Sequence, residues 1–143
     1  MPGKISARLA EIIEALPLHQ GMRVLEIGCG PGVAARAVLE RIGSGHVLAI
    51  DRSAKAIALA KAGSRAELAT GRLEFRHVPV EGLTLEKGER PYDLAFAVRV
   101  GVLDGRHPEE GRVAVERIRK ALVKNGHLFI DGNPLKEVPL GVA

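Results

Sequence analysis

One cysteine, no tryptophan, one tyrosine and three phenylalanines are all that this 143-residue chain has of those residue types. The lone Cys29 has no intrachain disulfide partner, so covalent staples cannot hold the fold together. They are not needed. With 46% hydrophobic residues at this length, the chain can bury a core as a single domain over residues 1–143. Nor is there an apolar run long enough to span a bilayer, and the opening MPGKISARLAEII mixes charges with apolar residues, unlike a signal peptide. The expected address is the cytoplasm, with no membrane partner.

Clustered positive charge is missing too. The net charge is +4, yet Lys and Arg are scattered singly, and only Tyr92, Phe75, Phe96 and Phe129 could stack on bases, which argues against nucleic acid as a partner. His19, His46, His77 and His127 stand at no metal-ligand spacing from one another or from Cys29, so no metal site is expected. Repeats, low-complexity tracts and linkers are absent as well.

What the chain does contain is an alternation of periods. Short β-rich apolar runs, Arg23 to Ile27, His46 to Asp51, Leu73 to Val78, Asp93 to Val98 and His127 to Asp131, are separated by longer helical patterns. This alternation predicts an α/β fold, a parallel sheet covered by helices. Helices are expected from Ile5 to Leu16, from Val33 to Ile42, over Ala54 to Ala62 behind a Ser53 N-cap, and from Pro108 to about Val123, where Asn125 and Gly126 stop the last one. The segment Glu81 to Tyr92 is polar and long for a connection, and is expected to be mobile.

Between the first strand and its helix lies GCGPG, Gly28 to Gly32. A turn at the carboxyl end of a strand is where open α/β sheets bind ligands, and glycine there leaves backbone N–H groups bare beside a helix N-terminus that favours an anionic group. A dinucleotide fingerprint would need glycine at position 33, which is Val33, whereas the glycines here are Gly28, Gly30 and Gly32. Glu26, two residues before the turn, would also repel a pyrophosphate. It would attract an ammonium or a sulfonium.

The run LEIGCGPG resembles the first motif of the class I S-adenosylmethionine-dependent methyltransferases, acidic-x-Gly-x-Gly-x-Gly, and the resemblance extends over about Met22 to Asp131. It implies a three-layer Rossmann-like sheet of about five mainly parallel strands in the order 3-2-1-4-5. The family's strands 6 and 7 would be missing or abbreviated, because only GNPLKEVPLGVA follows Asp131. Strand five would then be a sheet edge, left open, covered by Leu135, Val138 and Leu140, or paired with a second subunit in a homodimer.

By the same resemblance S-adenosylmethionine is the cofactor and S-adenosylhomocysteine the product. The turn Gly28, Cys29, Gly30 and Gly32 would hold its amino-acid end, with Glu26 orienting the loop and the ammonium; Cys29 reads as a small residue in a crowded turn rather than a nucleophile. Asp51, beside Arg52, ends the second strand where an acid can accept hydrogen bonds from both ribose hydroxyls. Pro79 stands where the family commonly has an acid that contacts adenine, leaving the Val80 N–H and apolar walls for the base. Val98 and Arg99 fall where the cofactor's methionine part meets the substrate.

Methyl transfer from a sulfonium is an in-line displacement that chiefly requires alignment, so a base serves only poorly ionised nucleophiles. Arg99 is a candidate clamp for a carboxylate or phosphate, and His107 the best base among Asp104, His107 and Glu109, although it can equally cap the following helix. Asp93 reads as structural because it sits at the amino end of its strand. The Asn-Pro-Pro-aromatic and Pro-Cys motifs of nucleic-acid base methyltransferases are absent from AVRVGV, which favours a small-molecule acceptor. A cofactor-binding module without turnover, and then a nicotinamide-nucleotide enzyme, are the competing readings.

Overall fold

In the computed structural model, which describes residues 4–135, the core is a six-stranded sheet in the order β3-β2-β1-β4-β5-β6. The strands are β1 (Arg23–Ile27), β2 (His46–Asp51), β3 (Leu73–His77), β4 (Tyr92–Ala97), β5 (Leu122–Ile130) and β6 (Asn133–Pro134). The first five are parallel, and β6 runs antiparallel against the end of β5, pairing Phe129 with Pro134 and Ile130 with Asn133. The expected order holds for the first five strands. Beyond β5 the described residues add a two-residue strand hinged on Asp131 and Gly132, both at positive φ.

Alternation along the strands divides the interior into two layers. Val24, Val47, Ala49, Phe75 and Phe96 point to the side covered by α1 (Ala7–Ala15), α2 (Val33–Arg41) and α3 (Ala54–Ala62). Leu25, Ile27, Leu48, Ile50 and Ala95 point to the other side, where Ala114, Ile118 and Ala121 of the last helix cover them. Because β1 lies between β2 and β4, it is buried on both faces, so even Glu26 is enclosed.

Several boundaries differ from the sequence expectation for identifiable reasons. Helix α1 starts at Ala7 because Ser6 caps it, its hydroxyl accepting the Leu9 N–H at 3.1 Å. Ser53 caps α3 in the same way, through the Ala56 N–H at 3.1 Å. A further short helix, α4 (Arg65–Ala69), lacks a side-chain cap and an apolar stripe of its own and was not expected. The last helix, α5 (Pro108–Ala121), ends two residues early because Leu122 is already extended and pairs with Tyr92 of β4. From there the register slips, so that His127 faces Leu94, and Asn125–Gly126 lies within an irregular stretch of β5 instead of ahead of it. Leu135 packs on the α5 side of the sheet; Val138 and Leu140 lie outside the described residues.

Asp93 is structural, as its place at the amino end of β4 suggested: its carboxylate accepts the Arg23 N–H at 2.8 Å and ties β1 to β4. The segment from Glu81 to Tyr92 is not the free loop its polarity suggested. Arg76 on β3 donates to Glu74 at 2.9 Å and to Glu86 and Glu89 at 3.2 Å, while Tyr92 donates to Glu89 at 2.5 Å. The guanidinium is only 16% exposed and Glu89 only 10%, so these charges are screened far less than an open surface pair.

Burial pushes the Glu89 carboxyl up, but the hydrogen bonds from Arg76 and Tyr92 outweigh it and hold the group below its ordinary value. The stabilisation is therefore present above the unfolded value and lost as pH falls through the lower folded one. Replacing Arg76 with Ala is expected to lower stability by about 1–3 kcal/mol, to flatten the acid limb of the stability profile, and to expose the 81–92 segment to protease. Unchanged denaturant midpoints from pH 3 to 7 would show that the cluster does not hold the segment.

Candidate functional site

Two clefts open at the carboxyl edge of the sheet, separated by Gly28 and Arg99, which border both. The larger, about 570 Å³, is walled by Ile50, Asp51 and Arg52 after β2, by Val78 to Glu81 after β3, and by Arg99 to Val102, His107 and Glu110 after β4. The smaller, about 270 Å³, lies between the Gly28 to Pro31 turn, Glu26, Val98 and the first turn of α1 with Ser6 and Arg8. The sites expected from sequence thus meet at one place. Among the expected residues Gly32 borders neither cleft, nor do the lesser base candidates Asp104 and Glu109.

The glycine turn has distinct reasons at each position. Gly28 sits at φ +70, and a Cβ there would lie 2.7 Å from Cγ2 of Val100, so the strand must leave the sheet without a side chain. A Cβ at Gly30 would meet nothing within 4 Å, which leaves bare main chain facing the smaller cleft. Gly32 instead packs toward Phe75 and Ala60, and its N–H bonds back to Cys29 O at 3.1 Å, so its role in the fold is to start α2.

Asp51 fastens this turn to β2. One carboxylate oxygen accepts the Gly30 N–H at 2.9 Å and the other the Ser53 N–H at 2.8 Å. Each oxygen keeps a lone-pair site for a further donor. Arg36 of α2 braces the turn from behind, donating to Pro31 O at 3.1 Å and to the hydroxyl of the fully buried Ser64 at 2.8 Å. Arg36 was not expected from sequence, because its partner lies 28 residues away and nothing local marks it.

Glu26 is the electrostatic centre of the smaller cleft. It is 3% exposed, and its Oε1 has no hydrogen-bond partner among the described residues. Burial, reinforced by the Asp51 carboxylate and only partly offset by the Arg36 guanidinium, pushes its carboxyl up to about 8. Cys29 beside it is buried, and burial together with these two acids pushes its thiol up, away from the thiolate form.

On the other side, His107 takes the N-cap position of α5 ahead of Pro108 but makes no side-chain cap bond, and it faces the larger cleft with Glu110. Asp104 and Glu109 are occupied elsewhere: Asp104 accepts from the Arg106 N–H at 3.0 Å and its guanidinium at 2.7 Å, and Glu109 accepts from Arg112 at 3.2 Å. Neither borders a cleft. Among the described residues no His, Cys, Asp or Glu cluster could hold a metal ion, and no helix is long and apolar enough to cross a membrane.

The chain as a whole is similar to known proteins. The model of a methyltransferase domain family matches residues 24–126. The chain belongs to that family of methyltransferase domains. It is 29% identical over 148 residues to the mitochondrial ubiquinone biosynthesis O-methyltransferase of Schizosaccharomyces pombe, a match covering 93% of this chain and 52% of that protein. It is 36% identical over 126 residues to the protein-L-isoaspartate O-methyltransferase of Methylorubrum populi, covering 88% and 52%. A methyltransferase from Thiobacillus denitrificans, solved with S-adenosylhomocysteine, shares the fold with a TM-score of 0.68 at 22% identity, over 91% of this chain and 50% of that one. The chain spans about half the length of the curated relatives it matches.

The buried acid sets a sign for the pH dependence of the free protein. A carboxyl raised from its ordinary value to about 8 keeps its proton in the fold after the unfolded chain has lost it, so its contribution is full in acid and is lost as pH rises toward 8. Glu26→Gln, neutral at every pH, is expected to gain stability over the wild type as pH climbs from 5 to 8, the gap growing by on the order of 2–4 kcal/mol. Parallel stability curves for the two proteins would mean that Glu26 is ionised in the free fold.

Proposed function

We propose that this chain binds S-adenosylmethionine across Gly28, nucleoside in the larger cleft and amino-acid end in the smaller, and passes its methyl group to an oxygen nucleophile on a small molecule. The observation that carries the reading is the partnerless buried carboxylate of Glu26 beside bare main chain. An ammonium has three donors and the charge to satisfy that acid. A pyrophosphate offers no donor to that acid and would repel its ionised form, which disfavours a nicotinamide dinucleotide in the same place.

The residues present fit the group. Asp51 has free lone-pair sites toward the larger cleft for two ribose hydroxyls, and the Val80 N–H with Ile50, Val78 and Pro79 offers an apolar slot for a base. Pro79 itself brings no donor, so recognition of the base rests on shape more than on charge. When bound, S-adenosylmethionine supplies an electrophilic methyl on a sulfonium centre. Arg99 and His107 flank the larger cleft on the side of β4, where Arg99 can hold an anionic acceptor and the His107 imidazole can take the proton of its hydroxyl.

The oxygen acceptor is favoured because the curated relatives named above are O-methyltransferases. The same reading sets the protein in the cytoplasm and gives it a small-molecule substrate, with a second copy able to pair along the part of β5 that β6 leaves uncovered.

Titration calorimetry with S-adenosylmethionine and with NAD tests the cofactor, and methyl release over a panel of phenols, alcohols, carboxylates, amines and thiols tests the transfer. Micromolar-range binding of the sulfonium compound, silence with NAD and turnover on oxygen acceptors are the expected results. Heat with NAD alone would overturn the reading, and firm cofactor binding with a silent panel would favour a binding module instead.

A further inference from the structure

Among the described residues, only two that are not glycine adopt left-handed backbone: Arg99 at φ 56 and Asp131 at φ 50. Such positions are strained for residues that carry a Cβ and persist where the surroundings enforce them. These two are bonded to each other, the Arg99 N–H donating to Oδ1 of Asp131 at 2.9 Å. Asp131 in turn donates its own N–H to Ala97 O at 2.9 Å. The ends of β4 and β5, in register at Ala97 and Ile130, therefore leave the sheet side by side, stitched together by one carboxylate.

The fold alone does not call for an arginine here. Glycine would adopt φ 56 freely, and Arg99 is exposed, so neither backbone freedom nor core packing explains a long cationic side chain at a strained position. What the position does provide is a place on the wall between the two clefts. The Arg99 guanidinium has no hydrogen bond or ion pair within the described residues; Arg8 and Arg52, each bordering one cleft, have none either, but of the three Arg99 alone borders both clefts. Asp131 borders neither cleft, so it acts only through the turn it holds.

We propose that Asp131 is a positioning residue, fixing the turn after β4 so that the Arg99 guanidinium clamps a carboxylate or phosphate at the junction of the two clefts. This deepens the methyltransferase reading and rests on it. The anionic group has two sources with one chemistry: the carboxylate of the cofactor's amino-acid end, or an acid on the methyl acceptor. Guanidinium recognises either through paired N–H donors, which requires the fork to be held at a fixed angle.

The test uses the full chain and its Arg99→Ala, Asp131→Gly and Asp131→Asn variants, with melting curves to confirm folding. Glycine removes the acceptor while accepting the positive φ, and asparagine keeps both an Oδ1 acceptor and tolerance of that φ. S-Adenosylhomocysteine and decarboxylated S-adenosylmethionine are titrated into each protein, and inorganic phosphate is titrated with and without saturating S-adenosylhomocysteine. Arg99→Ala is expected to weaken binding roughly tenfold in one arm. A loss for S-adenosylhomocysteine that spares the decarboxylated compound assigns the clamp to the cofactor, and a loss for phosphate assigns it to the acceptor.

Asp131→Gly is expected to reproduce that loss in the same arm, a protein carrying both Arg99→Ala and Asp131→Gly to lose no more than either single variant, and Asp131→Asn to restore binding. An Arg99→Ala protein unchanged in every arm overturns the clamp. An Asp131→Gly protein that binds like the wild type, or an asparagine variant no better than glycine, overturns the positioning role. Failure of the wild type to bind S-adenosylhomocysteine at all overturns the cofactor reading instead, and the phosphate titration without it still decides the clamp.

Discussion

A buried carboxyl group with nothing to bond to is the constraint on which the site turns. Glu26 lies on a strand covered on both faces, so the sheet that makes the fold stable also removes the acid from water. Left ionised and alone, such a group is among the more expensive features a small domain can carry. Two outcomes relieve it: the proton stays on, or a cation arrives. Burial favours the first in the free protein, and in the proposed function the ammonium of the ligand supplies the second.

The surroundings are built to preserve that choice. Asp51 holds the glycine turn by its main chain and raises the cost of a second negative charge nearby, while Arg36 braces the turn from the other side and keeps that cost from becoming prohibitive. Both act through the backbone of Gly30 and Pro31, so turn geometry and the electrostatics of Glu26 are one system. A substitution at any of the three acts on the other two, and additivity between them is not to be expected.

Much of the architecture was legible because β1 and β2 are uninterrupted apolar runs bounded by turn residues, and Ser53 announces α3 one residue ahead of it. The amino end of β5 was not legible: Leu122 to Gly126 reads as a helix end followed by a stop, and only the pairing of Leu122 with Tyr92, 30 residues away in the chain, makes it a strand. The tethered 81–92 segment was hidden for the same reason, since Glu74, Glu86 and Glu89 look like scattered surface acids until Arg76 gathers them. In the site, the spacing of Glu26, Gly28 and Asp51 was enough to place the clefts. It could not separate Gly32, which packs, from Gly28 and Gly30, which border the clefts, nor reveal Arg36 and Asp131, whose bonds reach across the fold.

The central claim, that a neutral buried acid becomes a charged partner for a cationic ligand, is read most directly by counting protons. Calorimetric titration of S-adenosylhomocysteine near pH 7, repeated in buffers of different ionisation enthalpy, gives the number released per ligand bound. Release of about one proton by the wild type and none by Glu26→Gln is the expected result. Binding with no proton released, or with the same release from both proteins, would contradict the account.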